Sequence, residues 1–424
     1  MRILHVIAQK PHSTGSGVYL TGMVEGFAAM GYPQALIAGL DFGESLPEKE
    51  RSIIEGAEFY PLFYRREEMN FPVLGMSDVM PYESTRYRDL DRERLKQFQK
   101  AFAALVSEAV EQFRPDLVLS HHLYLSTALL RDLIPEGIPL AGVCHETCLR
   151  QLQSNPLERE WIRSRIRRLD LLMALHEEQK KRIVEIFGAD PEKVVVIGSG
   201  YDSRIFYDRK QPKSAGVTEI VYTGKMSRSK GVLSLISALQ MLSEKPQDFG
   251  LQEKPSLRLR LIGGGNNSER LEIEAKAKTC LFPVESLGRL ETQAEIARLY
   301  AESDIFVLAS FFEGLPLVIS EAMACGLEVV TTAIPGVQEW IESLLGKEHS
   351  MVFVPLPKME TIDKPFESEL DSFERRLAEA VASKILLLES GGRSSCPKVE
   401  RLSWRGLCER ILEIIGTLFQ QDSI

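Results

Sequence analysis

The sequence predicts an α/β protein made of two doubly wound domains, each built on a parallel sheet. Short β-branched runs alternate with amphipathic helical patterns along almost the whole chain. Strands that alternate with helices in this way form parallel sheets through right-handed crossovers. A polar segment at residues 208–216 interrupts the alternation near the middle of the chain. Because a length of 424 residues also fits two or three domains, we predict two sheets rather than one.

The strand candidates form two sets of six, one on each side of the polar segment. They are residues 3–8, 34–39, 116–120, 139–143, 171–174 and 194–197, then residues 219–223, 257–262, 284–287, 305–308, 328–331 and 351–354. We predict an N-terminal domain at residues 1–205 and a C-terminal domain at residues 206–395. A final amphipathic helix at residues 402–420 has a pattern that fits packing on either domain.

Residues 60–90 depart from the alternation because they are rich in aromatic residues and contain prolines. A long irregular segment in a compact domain is usually either functional or disordered. The aromatic content favours order. We therefore expect an ordered, irregular segment with a functional role.

Composition and charge exclude several classes of function. The chain has 51 Lys and Arg against 60 Asp and Glu, a formal charge of −9, which argues against a broad basic surface for nucleic acid. Its apolar stretches are too short to cross a bilayer, and the N-terminus is typical of a buried strand rather than a signal peptide. Six cysteines without zinc-like spacing fit reduced thiols in a cytoplasmic protein. The arginines at residues 159–168 fit a solvated helix face better than a membrane contact.

Two glutamates lie in the most distinctive motif, FEGLPLVISEAMACG at residues 312–326. Glu313 follows a strand candidate, and Pro316 suits the first turn of a helix that carries Glu321 in its second turn. Eight helical residues span about 12 Å, and part of this stretch is loop, so the carboxylates lie somewhat closer than that. Carboxylates suit vicinal diols, and amides at a helix start suit phosphates. The alternative is one capping and one surface glutamate.

A second cluster, GKMSRSKG at residues 224–231, follows another strand candidate. Lys225 and Lys230 at the carboxyl end of a strand are suited to neutralise a diphosphate leaving group without a metal ion. The alternative is a basic turn that only faces solvent.

The first strand candidate is followed by a glycine-rich turn that contains Gly15, Ser16 and Gly17. Such a turn exposes backbone amides to a phosphate or a sugar, although its spacing differs from the nicotinamide-cofactor fingerprint GxGxxG. His145 also follows a strand candidate, where it is placed to donate to a sugar hydroxyl. A structural role is the alternative for His145, and no set of facing ligands supports zinc.

Six motifs in order closely resemble those of the family 4 retaining glycosyltransferases. They are GSGYDSRIF at residues 198–206, GK…KG at 224–231, LIGGG at 261–265, LGR at 287–289, FEGL…EAMACG at 312–326 and AIPG at 333–336. The resemblance implies the GT-B fold, in which two Rossmann-like domains face a central cleft and the C-terminal domain binds a nucleotide-sugar. In that fold the last helix crosses back to the N-terminal domain.

The resemblance also implies roles for individual residues. Glu321 holds the ribose diol, Glu313 holds hydroxyls of the donor sugar, and Lys225 and Lys230 hold the phosphates. Lys225 stands where the family more often has arginine, which keeps the charge but loses bidentate geometry. The remaining nucleotide-site and donor-site residues implied by the resemblance are Gly15, Ser16, Gly17, His145, Gly224, Gly288, Arg289, Leu290, Gly314 and Leu315.

The implied reaction is transfer of a sugar from a nucleotide-sugar with retention at the anomeric carbon, without metal or other cofactor. A UDP-sugar is the first expectation and a GDP-sugar the second, the acceptor being unidentified. Residues 60–90 are expected to shape the acceptor site, because GT-B enzymes take the acceptor on the N-terminal side. Two alternatives are a nucleotide-sugar 2-epimerase, which needs no acceptor, and a non-catalytic nucleotide-binding subunit of a glycosylation complex.

Overall fold

The computed structural model describes residues 1–421 except residues 79, 210–215, 348, 350, 394, 395 and 397. The chain separates into two compact units. The N-terminal unit comprises Met1–Gly200 together with the segment that begins at Trp404, and the C-terminal unit comprises Tyr201–Ser403. The predicted polar break at residues 208–216 lies mostly outside the described residues.

The N-terminal unit has a seven-stranded parallel sheet in the order β3-β2-β1-β6-β7-β8-β9. Its strands are β1 (Ile3–Ile7), β2 (Gln34–Asp41), β3 (Ala57–Tyr64), β4 (Leu74–Gly75), β5 (Thr85–Arg86), β6 (Leu117–His121), β7 (Leu140–Val143), β8 (Leu171–Ala174) and β9 (Val194–Val196). Its first helices are α1 (Gly15–Ala28), α2 (Glu48–Ile54), α3 (Arg92–Phe113), α4 (Leu125–Leu133), α5 (Thr147–Ser154), α6 (Arg159–Ile166) and α7 (Glu177–Phe187). The short strands β4 and β5 pair only with each other.

The C-terminal unit has a six-stranded parallel sheet in the order β12-β11-β10-β13-β14-β15. Its strands are β10 (Thr218–Thr223), β11 (Leu257–Ile262), β12 (Val284–Gly288), β13 (Ile305–Leu308), β14 (Glu328–Thr332) and β15 (Val352–Val354). Its helices are α8 (Val232–Glu244), α9 (Asn267–Ala277), α10 (Gln293–Ala301), α11 (Leu317–Ala324), α12 (Val337–Leu345) and α13 (Leu370–Glu389). The two parallel sheets with surrounding helices confirm the predicted fold class.

The last helix, α14 (Trp404–Gln421), belongs to the N-terminal unit and packs on α1. Its apolar face is buried, and the indole ring of Trp404 lies against Gly22 of α1 and against Gly200. A Cβ added at either glycine would overlap the indole ring, and one added at Gly26 would overlap the backbone of Trp404. The glycines on α1 therefore allow the two helices to approach closely.

Residues 60–90 are less irregular than the sequence suggested. They begin within the regular strand β3, which carries Pro61 and lies at the edge of the sheet. Proline interrupts the sequence pattern of a strand but is tolerated at an edge, where one side of the strand makes no ladder hydrogen bonds. The aromatic side chains of Tyr64, Phe71 and Tyr87 in this segment are buried, which agrees with the expectation that the segment is ordered.

Each sheet has a point where the strand order reverses direction. It lies between β1 and β6 in the N-terminal unit and between β10 and β13 in the C-terminal unit. Loops that leave the carboxyl ends of such strand pairs diverge to opposite sides and leave a crevice for ligands. These two edges are where the predicted site residues lie. Among the described residues, no helix is long and apolar enough to span a bilayer.

Candidate functional site

Three glycine-containing loops form the carboxyl edge of the C-terminal sheet. The amide of Gly224 donates to Ile262 O at 2.9 Å, and the amide of Met226 donates to Gly264 O at 2.8 Å. The amide of Gly263 donates to Gly288 O at 2.7 Å, which joins the loop after β11 to the end of β12. A side chain at Gly263 would collide with the carbonyl of Gly224, so the loops need glycine to pack this closely.

The turn after β10 is joined in the same way to the loop after β13. The amide of Phe311 donates to Ser229 O at 2.9 Å, and a Cβ at Gly231 would overlap the carbonyl of Ala309. Gly231 also has a φ of 64°, in the left-handed region that favours glycine. This backbone contact brings Lys230 of one loop to Glu313 of the other.

Lys230 and Glu313 form an ion pair with a distance of 2.7 Å between Nζ and Oε2. Lys230 Nζ also donates to Phe312 O at 3.0 Å, and the hydroxyl of buried Ser310 donates to Glu313 Oε1 at 2.8 Å. Both carboxylate oxygens of Glu313 are thus held in place. Sequence reasoning did not single out Ser310; its position directly after the buried strand β13 was the available signal.

Lys225 differs from Lys230 because its side chain is exposed and, among the described residues, has no ion-pair partner. Its backbone is fixed, since the hydroxyl of Tyr222 donates to Lys225 O at 2.8 Å. Burial, reinforced by the charge of Glu313, raises the pKa of Tyr222 above its ordinary value. Tyr222 therefore keeps its proton and its hydrogen bond, and Lys225 presents an uncompensated positive charge at this edge.

Glu321 lies in the second turn of α11, as the sequence predicts, and its side chain is buried. Within the described part of the chain, its carboxylate has no hydrogen-bond or ion-pair partner. Burial raises the pKa of Glu321 to about 7. A buried carboxylate without a partner is unusual in a stable core and is typical of a ligand site. Pro316 precedes the helix as its N-cap rather than occupying the first turn, because α11 begins at Leu317.

Arg228 lies in the same turn as the two lysines, but its side chain is bonded to helix α9. Its guanidinium forms two hydrogen bonds of 2.8 Å with the carboxylate of Glu272 on α9, and its amide donates to Glu269 at 3.0 Å. The turn therefore offers Lys225 to a ligand at the carboxyl edge as a cation without an ion-pair partner among the described residues. Lys230 lies at the same edge but shares its charge with Glu313.

The remaining predicted residues of the C-terminal unit lie on loops at the same edge of the sheet. Gly288 ends β12, with a φ of 68°, and Arg289 beyond it is exposed. Gly314 has no atom within 4 Å of an added Cβ, and Leu315 packs partly against the core. The structure thus brings the loops of the predicted nucleotide-sugar site to one edge.

In the N-terminal unit, Gly15, Ser16 and Gly17 form the first turn of α1. The Thr14 side chain caps this helix by accepting from the Gly17 amide at 3.1 Å. A side chain at Gly17 would press on the backbone of His12, whereas Gly15 faces open space. Only Gly15 therefore has an open backbone, because the Gly17 amide is already bonded to Thr14. The binding of a phosphate or a sugar by this turn stays a prediction.

His145 follows β7 and belongs to a histidine cluster that the sequence did not reveal. Its Nε2 lies 3.1 Å from His121 Nδ1, its ring centroid lies 4.8 Å from that of His122, and Tyr19 meets its ring edge-on. Burial lowers the pKa of His145 to about 3, so the imidazole is neutral at pH 7. His121 and His122 are both buried. Among the described residues, no three His, Cys, Asp or Glu side chains are grouped to hold a metal ion.

Comparison with known proteins places this geometry in a family. The family model described as Glycosyltransferase Family 4 matches residues 13–204, and the model described as Glycosyl transferases group 1 matches residues 203–353. Alpha-maltose-1-phosphate synthase of Mycolicibacterium smegmatis is 25% identical over 280 residues, which are 60% of this chain and 65% of that protein. The alignments with curated relatives span 42% to 65% of the relatives' own lengths.

Solved structures share the whole fold. HepE of Anabaena, in complex with UDP and glucose, matches with a TM-score of 0.57 and 16% identity over 98% of this chain and 99% of that one. UDP-GlcNAc 2-epimerase of Neisseria meningitidis, bound to UDP-GlcNAc, matches with a TM-score of 0.55 and 14% identity. The match covers 98% of this chain and 100% of the epimerase chain. With two doubly wound sheets and two family models that together match residues 13–353, the chain belongs to the family 4 glycosyltransferases of GT-B fold.

Proposed function

We propose that the protein transfers a sugar from a nucleotide-sugar, most favourably a UDP-sugar, to an acceptor hydroxyl with retention at the anomeric carbon. The observation that carries the proposal is the set of charges at the carboxyl edge of the C-terminal sheet. Two loop–helix segments, after β10 and after β13, carry Lys225, the Lys230–Glu313 pair and Glu321. Glu321 is buried and has no hydrogen-bond or ion-pair partner among the described residues. Cations suit a diphosphate, and carboxylates suit the hydroxyls on either side of it.

In this reaction the bond between the anomeric carbon and the diphosphate oxygen breaks, and the acceptor oxygen bonds to the same face of the sugar. The acceptor proton passes to the departing diphosphate. Negative charge therefore accumulates on the diphosphate, and fixed positive groups stabilise it more in the transition state than in the ground state. Lys225, Lys230 and the free amides at the start of α11 are the groups that supply this stabilisation.

Glu313 is assigned to the donor-sugar hydroxyls. Its two oxygens are already oriented by Lys230 and Ser310, so binding a sugar requires little rearrangement of the side chain. Glu321 is assigned to the ribose diol, since two hydroxyl donors would satisfy its unpartnered carboxylate. Neutral His145, in the N-terminal unit, is assigned to donate to a sugar hydroxyl or to developing charge, as its position after β7 suggests.

UDP is favoured over GDP because structural neighbours such as HepE contain UDP in their complexes. The proposal includes no metal, since two lysines and helix-start amides supply the positive charge. Turnover is therefore expected to survive removal of divalent cations with EDTA. An EDTA-sensitive rate that Mg²⁺ restores would contradict this part of the proposal.

The first test is thermal unfolding of the full chain with UDP, GDP, ADP and their glucose conjugates. A ligand at 100 times its Kd adds about 2.7 kcal/mol of stability, which shifts the unfolding midpoint measurably. We expect UDP and UDP-glucose to raise the midpoint most. The absence of a shift with all of them would overturn the proposal. Analysis of the products formed without acceptor separates transfer from epimerisation, because only an epimerase releases an epimerised sugar.

A further inference from the structure

A second group of charged side chains, outside the donor edge, lies at the carboxyl ends of β1 and β2 in the N-terminal unit. Buried Lys10 has its Nζ 2.5 Å from Glu44 Oε2 and 3.4 Å from Asp41 Oδ2. The ammonium also lies 4.8 Å from the centre of the Tyr82 ring. We call Lys10, Asp41, Glu44 and Tyr82 the Lys10 cluster.

The positive charges around this cluster are already neutralised. Asp41 also forms an ion pair with Arg65, with 3.4 Å between Oδ1 and Nε. Arg65 pairs in turn with Glu83, with 2.6 Å between Nη2 and Oε2. Two cations thus face the three carboxylates of Asp41, Glu44 and Glu83. An anionic ligand would have to displace one of these carboxylates, and would meet the repulsion of the other two.

Two buried polar atoms beside the cluster have no hydrogen-bond partner among the described residues. They are Gln9 Oε1 and His12 Nε2, on side chains with 3% and 8% of their surface exposed. The Tyr82 hydroxyl, by contrast, accepts a hydrogen bond from the backbone of Lys10. Buried polar atoms are normally hydrogen-bonded, so two unsatisfied ones on neighbouring residues indicate a place for a ligand with hydroxyl groups.

The protonation of His12 fits the same conclusion. Its Nδ1 contacts Ser13 Oγ at 2.7 Å, which leaves Nε2 on the other side of the ring. Burial lowers the pKa of His12 in spite of the nearby charge of Glu44, so the imidazole is neutral at pH 7. A neutral imidazole, an amide oxygen and a phenol together offer donors and acceptors but no net positive charge.

Residues 60–90 hold the cluster in place. The amide of Val73 donates to Asp41 Oδ1 at 3.2 Å, and Tyr82 covers Lys10. The side chain of Gln9, the residue before Lys10, donates to Thr14 Oγ1 at 3.2 Å at the capped start of α1. The segment that departs from the regular alternation is therefore structurally tied to this edge of the sheet.

We propose that the Lys10 cluster, with Gln9 and His12, binds the acceptor, and that the acceptor is an uncharged polyhydroxylated molecule such as a sugar rather than a phosphorylated sugar. This inference rests on the proposed glycosyl transfer. Its chemical basis is that the cations are paired with carboxylates while the unsatisfied atoms match hydroxyl groups.

The test compares neutral sugars with their phosphorylated counterparts, using the full chain and UDP-glucose as donor. Glucose and glucose 6-phosphate form one pair, and maltose and maltose 1-phosphate form another. Calorimetry in saturating UDP measures binding, and release of UDP measures turnover. We expect the neutral member of a pair to bind more tightly and to react faster. A preference for the phosphorylated member, or binding of no member of the panel, would overturn the inference.

Two variants make the test specific. Glu44→Gln removes one carboxylate from Lys10, so we expect the preference for the neutral over the phosphorylated sugar to fall about tenfold. Tyr82→Phe keeps the ring over Lys10 but removes the hydroxyl and its O–H donor, which is expected to raise the KM for a neutral sugar about tenfold. Glu111→Gln, an equal charge change at an exposed position of α3, is the matched control and is expected to leave the preference unchanged.

The same measurements separate failure of this inference from failure of the proposed function. If UDP still raises the unfolding midpoint and UDP-glucose is still consumed, but Glu44→Gln and Glu111→Gln have equal preferences, only the acceptor assignment is wrong. If neither UDP nor UDP-glucose binds the wild-type chain, the proposed function itself is wrong.

Discussion

The two sheet edges of this protein share one architecture and differ in their chemistry. In both, the site residues follow parallel strands beside the point where the strand order reverses. At the C-terminal edge, glycine-rich loops are hydrogen-bonded to one another. Among the described residues, Lys225 there has no ion-pair partner, and the buried carboxylate of Glu321 has no partner either. At the N-terminal edge, Lys10 is buried between Asp41 and Glu44, and the histidines are neutral.

The difference shows that the doubly wound fold provides the position of a site but not the charge of its ligand. A cation without a partner can offer its full charge to a phosphate, whereas a cation between two carboxylates has already lost most of that capacity. We therefore assign the diphosphate to the C-terminal edge and an uncharged molecule to the N-terminal edge.

The largest effect is expected from Glu313→Ala. This variant removes the proposed sugar-binding carboxylate and leaves Lys230 without its ion pair, so we expect kcat to fall about 100- to 1,000-fold. Because the pair is partly exposed, the free energy of unfolding should change by no more than about 1 kcal/mol. Steady-state release of UDP and thermal unfolding measure the two quantities. Glu253→Gln, on an exposed loop, is the control, and a Glu313→Ala enzyme with wild-type kcat would show that the site assignment is wrong.

Lys225→Ala is expected to weaken UDP binding about 10- to 100-fold, because the variant loses one charge-assisted hydrogen bond to the diphosphate. Since Lys225 has no ion-pair partner in the described structure, its removal should leave the unfolding midpoint unchanged in the absence of UDP. Calorimetry with UDP gives the affinity. Lys254→Ala, another exposed lysine of the same unit, serves as the comparison. Equal UDP affinities for these two variants would remove Lys225 from the diphosphate site.

Gly22→Ala tests the packing of α14 rather than either edge. The added methyl group would overlap the Trp404 ring, and overpacking of this kind costs about 1 to 3 kcal/mol. For a unit of this size the midpoint should fall by about 2 to 4 °C per kcal/mol. Gly56→Ala, where an added Cβ meets no atom within 4 Å, is the matched control. Identical midpoints for the two variants would contradict the close helix contact.

A pH dependence of stability is expected from Glu321. Burial raises its pKa to about 7 in the folded chain, above the ordinary value of 4.5, so the folded state binds the extra proton. Stability from this group is complete below pH 4.5 and is lost as pH rises to about 7. We expect Glu321→Gln to gain in midpoint relative to wild type between pH 5 and pH 8. A constant difference between the two across this range would contradict the raised pKa.

Much of the fold could be predicted from the sequence because strand and helix periodicity are local properties. All twelve strand candidates overlap observed strands. The ends of eleven differ by no more than one residue, and β2 extends two residues further than predicted. The strand β3 was missed because Pro61 breaks its pattern, and only its place at the sheet edge makes the proline acceptable.

The candidate site could be predicted in part. Glycine, lysine and glutamate directly after strand candidates identified Lys225, Lys230, Glu313 and Glu321, since carboxyl ends of parallel strands share one edge. The sequence did not reveal that Ser310 orients Glu313 or that Glu272 engages Arg228. Arg228 and Glu272 lie on segments far apart along the chain, and local patterns do not report which segments meet. Ser310 is only three residues before Glu313, but whether its hydroxyl reaches the carboxylate depends on the conformation of their loop, which residue types alone do not give.

The sequence by itself determined the order of strands and helices, the positions of the glycines and the residue types at the strand ends. The tertiary structure decided which charges are paired. Lys225 and Lys230 look equivalent in the sequence, yet only Lys230 meets a carboxylate, and Lys10 lies between Asp41 and Glu44 because β2 is the neighbour of β1. Pairing and burial depend on which distant segments become neighbours in the sheet, and that neighbourhood sets the charge that each edge offers to a ligand.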